Sequence, residues 1–112
     1  MANRETLSDD QLAFYKAQGY LVLEKRIPDR ILADIRSEIT RFKEEASGLT
    51  ESNDRLDLED SHSPENPRVR RIKLPHTISE VIKSLMYSDH ILAPVRDLIG
   101  PNLRIHTTKL NM

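Results

Sequence analysis

Apolar residues recur at helical spacing in some stretches of the chain and alternate with polar ones in others, and the punctuation between them is unusually clear. Leu12, Phe14 and Tyr15 follow Ser8-Asp9-Asp10-Gln11, with Gly19 behind them. Ser8 and Gln11 make a capping box, the hydroxyl accepting from the third helical amide while the Gln side chain reaches back, and Leu7 and Leu12 are placed to staple that end. Asp9 and Asp10 complement the positive end of the helix dipole, and Gly19 offers a left-handed stop. The spacing predicts a helix over residues 9–18. Tyr20-Leu21-Val22-Leu23, bounded by charge and by Pro28, then predicts a short strand. Pro28 and Asp29 open a second helix, because proline is preorganised for a first turn. Ile31, Leu32, Ile35, Ile39, Phe42 and Ala46 form its apolar stripe, opposite Arg36, Glu38, Arg41 and Lys43, up to Gly48.

The pattern lapses after Gly48. Residues 48–67 hold Glu51, Asp54, Asp57, Glu59, Asp60 and Glu65 against one base, Arg55, with Leu49, Leu56 and Leu58 as the apolar residues. That composition predicts an acidic, flexible loop. Arg68 to Leu74 reads as a strand with Arg70, Ile72 and Leu74 on one face, stopped by Pro75. Thr77 and Glu80 offer a second capping box before a stripe of Ile78, Val81, Ile82, Leu85 and Met86, ending near Tyr87. Pro94 is costly deep in a helix, so a turn is expected over 89–92 and a helix over 93–99, closed by Gly100-Pro101. Finally, residues 102–112 alternate Leu103, Ile105, Thr107 and Lys109 against Arg104, His106, Thr108 and Leu110, as a strand does.

Composition narrows the classes. With 112 residues the chain holds one domain at most. Lys plus Arg number 17 against 18 for Asp plus Glu, so nothing draws it to nucleic acid or to an acidic membrane. The lack of Cys excludes disulfides, thiol nucleophiles and zinc fingers, and suits the cytoplasm. No apolar run approaches the roughly 20 residues of a membrane span. Residues 1–10 carry Glu5, Asp9 and Asp10 and no apolar stretch, so no secretory signal is expected. An α+β chain results, with few partners for its strands and an unpaired edge on the last. Such a layout looks interrupted and predicts self-association through unpaired strands.

Two stretches resemble a known family. Leu7-Ser8-Asp9-Asp10-Gln11-Leu12-Ala13-Phe14-Tyr15 followed by Gly19-Tyr20-Leu21-Val22-Leu23-Glu24 resembles the opening of the phytanoyl-CoA dioxygenase family. Asp97-Leu98-Ile99-Gly100-Pro101-Asn102-Leu103-Arg104-Ile105-His106-Thr107-Thr108-Lys109-Leu110-Asn111 resembles its approach to the metal-binding core. The resemblance implies a double-stranded β-helix of the jelly-roll kind with helices packed outside. It also implies Fe(II)- and 2-oxoglutarate-dependent hydroxylation of a small or lipid-like organic substrate, with iron held by two His and one carboxylate. That triad needs H-x-D or H-x-E. Two residues beyond His62, His76, His90 and His106 stand Pro64, Ile78, Leu92 and Thr108, so none qualifies. Residues 1–112 are therefore expected to be the N-terminal segment of such a domain, with the metal-binding core outside it and no catalytic or metal-ligating residue within it.

Against that frame the resemblance puts Arg70 and Lys109 on the cosubstrate side, Arg70 offering a bidentate donor pair to a carboxylate of 2-oxoglutarate. Arg71, on the opposite face of the same strand, is excluded from that role. His106 is the candidate nearest a substrate. Each has a plainer reading: Arg70 as a solvated strand edge beside Arg68, Arg71 and Lys73, and Lys109 as an exposed lysine. His76 reads as a residue before a cap and His62 as part of the loop. A second reading of the whole chain stays open, that of a non-catalytic interaction module whose exposed strands add to a partner's sheet.

Overall fold

The computed structural model describes residues 6–112; Glu5, part of the N-terminal reading, lies outside them. The elements run α1 (Asp9–Gln18), α2 (Asp29–Ala46), β1 (Leu56–Leu58), β2 (Val69–Lys73), α3 (Pro75–Ile78), α4 (Glu80–Met86), α5 (Asp89–Ile99) and β3 (Lys109–Asn111). The strands form one antiparallel sheet in the order β1-β2-β3. The mixture of helices with a small sheet is the α+β arrangement expected.

Helix α1 is built as its sequence dictates. Ser8 accepts from the Gln11 amide, Gln11 returns the bond to the Ser8 amide, and Gly19 caps the helix at φ 82°. Yet none of its residues is buried. The expected strand over residues 20–23 does not form: Tyr20 and Val22 are exposed, and no neighbouring strand pairs with this segment among the described residues. β-propensity alone cannot hold a strand without a ladder to join. Phe14 and Tyr20 instead meet edge to face at 5.3 Å.

The core lies where α2 crosses the sheet. Phe42 and Ala46 of α2 close over Leu56 and Ile72, which face each other across β1 and β2. Leu56 belongs to the stretch expected to be a loop, and three contacts explain why part of it is a strand. Its burial removes a large apolar side chain from water, a contribution of about 1.5 to 3 kcal/mol. Arg55, the one base there, grips Glu45 of α2 through two bonds of 3.0 Å and lies over the Phe42 ring. His62 completes the fastening: its Nε2 bonds the Leu49 carbonyl at 2.8 Å, and its Nδ1 accepts the Arg68 amide at 2.9 Å. The six acids spread across this stretch hide a single well-placed Leu-x-Leu.

Two boundaries differ from expectation. Thr77 is not the cap; Leu74 takes φ 44°, Pro75 starts the single turn of α3, and Ser79 caps α4 by accepting from the Ile82 amide. Ser79 also donates to Glu38 at 2.6 Å, tying α4 to α2. The turn expected over 89–92 is instead the first turn of α5, continuous through Pro94. Pro94 has no N–H for the His90 carbonyl four residues back. Arg26 supplies the missing donor: its Nε bonds the His90 carbonyl and an Nη the Asp89 carbonyl, both at 2.8 Å. The cost that argued against a helix there is met by a side chain 64 positions away.

The radius of gyration is 17.4 Å, against about 13 Å for a compact domain of this length. Burial is concentrated around α2 and the sheet, and α1 adds little to it.

Two outcomes follow for stability. Arg26→Ala should cost about 1.5 to 3 kcal/mol in urea unfolding, because a charged donor leaves a carbonyl orphaned. Adding Pro94→Ala should recover much of that loss, since residue 94 then supplies an N–H; equal losses in the single and double variants would contradict the role given to Arg26. The second outcome concerns pH. The Arg41 guanidinium, and after it the Ser79 hydroxyl, hold the Glu38 carboxyl below the usual carboxylate range. A carboxyl so depressed stabilises the fold above its unfolded pKa, and that contribution is lost as pH falls through the folded one. Glu38→Gln should therefore be less stable than the parent at pH 7, with the gap closing as pH drops below about 4.3. A gap that is the same at pH 7 and pH 3 would contradict it.

Candidate functional site

A strand turns alternate residues to opposite sides, so register decides which of its charges share a face. Here Arg71 stands opposite Asn111, Ile72 opposite Leu110, and Lys73 opposite Lys109. Asp57 of β1 stands opposite Arg71. One side of the sheet is therefore apolar, with Leu56, Ile72 and Leu110 against α2. The other carries Asp57, Arg71, Lys73, Lys109 and Asn111.

This second side is cationic. Asp57 is shared, its Oδ1 2.9 Å from Lys73 Nζ and its Oδ2 3.4 Å from Arg71 Nε. Lys73 also donates to the Asn53 carbonyl at 2.8 Å. Arg71 Nε is shut off from water and makes no hydrogen bond among the described residues. Lys109 is exposed. Two cations thus hold one carboxylate, and the Lys73–Lys109 pair sets like charges directly across from each other, which a sheet tolerates at a cost. An acceptor-rich anion such as a carboxylate is the guest this face suits.

A bulge in β2 decides where Arg70 lies. Asp57 pairs with Arg71 and Leu58 with Val69, which packs against the core, so Arg70 is the extra residue of a bulge; it sits beside Arg71 opposite Asp57, off the Ile72 side, and is exposed. Lys109 lies on this same side, with the very Arg71 that the sequence had set apart. The residues missed were Arg71, Lys73 and Asp57. Their shared parity was visible in the sequence, but the register linking β2 to β3 was not.

The histidines are scattered. His106 is exposed, in the extended segment before β3, where the expected strand has not yet begun; the ladder starts at Lys109. His76 sits in α3 with Nδ1 2.7 Å from the Thr108 hydroxyl. It lines a cavity of about 570 Å³ between α4, α5 and residues 102–105, whose walls include Met86, Ile91, Val95, Leu103 and Ile105. His62 has both ring nitrogens engaged. Among the described residues no three His, Asp or Glu side chains lie close enough to hold a metal ion, so these residues do not fit an iron centre. No helix among them is long and apolar enough to cross a membrane.

No family model matches the chain. It is 26% identical over 102 residues to a probable alpha-ketoglutarate-dependent hypophosphite dioxygenase of Stutzerimonas stutzeri, covering 91% of this chain and 36% of that protein. It is 24% identical over 108 residues to the ectoine dioxygenases of Bordetella parapertussis and Bordetella bronchiseptica, covering 96% of this chain and 33% of each. Nearly all of this chain is thus similar to dioxygenases, while it spans about a third of the length of these curated relatives.

Proposed function

We propose that this chain is the N-terminal portion of an Fe(II)- and 2-oxoglutarate-dependent dioxygenase acting on a small organic substrate. The observation that carries the reading is similarity to dioxygenases along more than nine-tenths of the chain, one of them described as alpha-ketoglutarate-dependent. The sequence resemblance to the phytanoyl-CoA dioxygenase family points the same way. In this reading α2, α4 and α5 are scaffold, and the three-stranded sheet is the beginning of the jelly-roll. Iron, when bound, would supply oxygen activation, and its ligands would come from outside these 112 residues.

The cationic side of the sheet is the part of this chain suited to the cosubstrate. A carboxylate of 2-oxoglutarate would accept from the Arg71 guanidinium, with Lys73 and Lys109 adding charge. Asp57 would hold Arg71 and Lys73 in place. Lys109 and Arg70 keep the cosubstrate role that the resemblance suggested, Arg70 as the bulge residue beside Arg71. His106, exposed ahead of β3, stands as the candidate nearest the organic substrate.

The test has two arms. Incubated with Fe(II) and 2-oxoglutarate, the 112-residue chain should form no succinate; chelator-sensitive succinate would overturn the placing of the iron ligands elsewhere. Titration with 2-oxoglutarate, followed by NMR, should shift the amides of Arg71, Lys73 and Lys109. Lys109→Ala should weaken that binding about three- to tenfold, and Arg36→Ala, on the exposed surface of α2, should leave it unchanged. Equal effects of the two substitutions, or no shifts on β2 and β3, would overturn the assignment of this face.

A further inference from the structure

His62 has two backbone partners of opposite kind. Its Nδ1 accepts the Arg68 amide at 2.9 Å, and its Nε2 lies 2.8 Å from the Leu49 carbonyl. A carbonyl can only accept, so Nε2 carries the hydrogen of that bond; an amide N–H can only donate, so Nδ1 is bare. The geometry therefore fixes the neutral ring and one of its two tautomers. The ring is half-buried and reaches 13 positions back to Leu49 and six forward to Arg68.

What the ring holds is the connection between β1 and β2. One residue past β1, the Glu59 amide donates to the Arg68 carbonyl at 2.9 Å, and the His62 amide donates to the Glu59 carbonyl at 2.9 Å. Ser63 and Asn66 bridge each other further out. Leu49 lies three residues past the end of α2 and packs against the core. The ring thus pins the β1–β2 connection to the turn that leaves α2. Charge around it is uneven. Its own segment carries the exposed acids Glu59, Asp60 and Glu65 and the base Arg68, and Glu51 stands two residues past Leu49. From α2 comes Lys43, which lines one surface recess together with Glu59 and Arg68.

We infer that His62 is a proton-operated clasp, closed onto the turn after α2 while the ring is neutral and released when the ring takes up a proton. The proton has one place to go, Nδ1, because Nε2 is already occupied. There it sets one N–H against another, that of Arg68, and the bond is lost. The ring must leave, and once turned outward the imidazolium has Glu59, Asp60 and Glu65 as counter-charges. Because the closed form binds one proton fewer than the open form, closure weakens by up to about tenfold per pH unit below about 6.5, where a free imidazole takes up its proton. Release reaches the sheet at its Leu58–Val69 end, beside the bulge at Arg70, and leaves Leu56 and Ile72 in the core. The inference concerns residues 49–68 and stands apart from the dioxygenase reading.

Two NMR measurements test it. At about pH 7 the nitrogen shifts of the His62 ring should show the hydrogen on Nε2 and a bare Nδ1. A hydrogen on Nδ1 while the Arg68 amide stays protected would overturn the inference. Hydrogen exchange, corrected for the intrinsic rate at each pH, should show the protection of the Arg68 amide falling about tenfold from about pH 7 to about pH 5. The Ile82 amide of α4, bonded to Ser79, should keep its protection over that span. His62→Gln keeps a donor for Leu49 and does not titrate, and it leaves His76, His90 and His106 as they are, so it separates this ring from the other three. In that variant the protection of Arg68 should be lower at pH 7 and flat with pH. No fall in the parent, a fall as large in His62→Gln, or an equal fall at Ile82 would each overturn the inference.

Discussion

A three-stranded sheet has one face that must leave water, and this fold depends on how that face is covered. Leu56 and Ile72 stand opposite each other across β1 and β2, and Phe42 and Ala46 of α2 close over them. These four residues are the buried centre of the core cluster among the described residues. Their packing fixes the register of β2 with β1, the parity of β2 fixes which charges gather on the outer side, and β2 in turn aligns β3. A strand drawn from a stretch rich in acids is thus the condition for the cationic side to exist at all. Arg55 and His62 hold that strand at its two ends by bonds to α2 and to the residues flanking the core.

How much of this was legible depends on the range of the interaction. The capping box at Ser8 and Gln11, the stop at Gly19 and the stripe of α2 are local, and each was readable from residues three or four positions apart. Lys73 and Lys109, by contrast, are 36 positions apart in sequence, and only the sheet register puts them across from each other. Pro94 shows the same limit in another form. A proline in a helix is costly on local grounds, and the helix continues because Arg26, far away in sequence, satisfies the vacated carbonyl. The strand expected at Tyr20 to Leu23 failed for the converse reason, having the propensity and lacking a partner.

The candidate site followed that division. Sequence resemblance pointed to Lys109, and the structure sets it among other cations. It also pointed to Arg70, and a bulge in β2, which the sequence does not announce, puts that residue beside Arg71. The resemblance to dioxygenases runs along nearly the whole chain, yet no metal-holding cluster occurs among the described residues. What this part of the protein offers is a scaffold and an anion-suited sheet face. Each follows from the same three strands.

The central claim is that β1 belongs to the core although its composition is that of a loop. Native-state hydrogen exchange tests it most directly, because it reads the opening of each amide separately. If the claim holds, the Ile72 amide of β2, the Phe42 and Ala46 amides of α2 and the Leu56 amide of β1 will be among the slowest, and all will exchange with the same free energy as global unfolding. Exchange of Leu56 at the rate of an unstructured peptide, while Ile72 and Phe42 remain protected, would show that the acidic stretch is a detachable loop and would contradict the account.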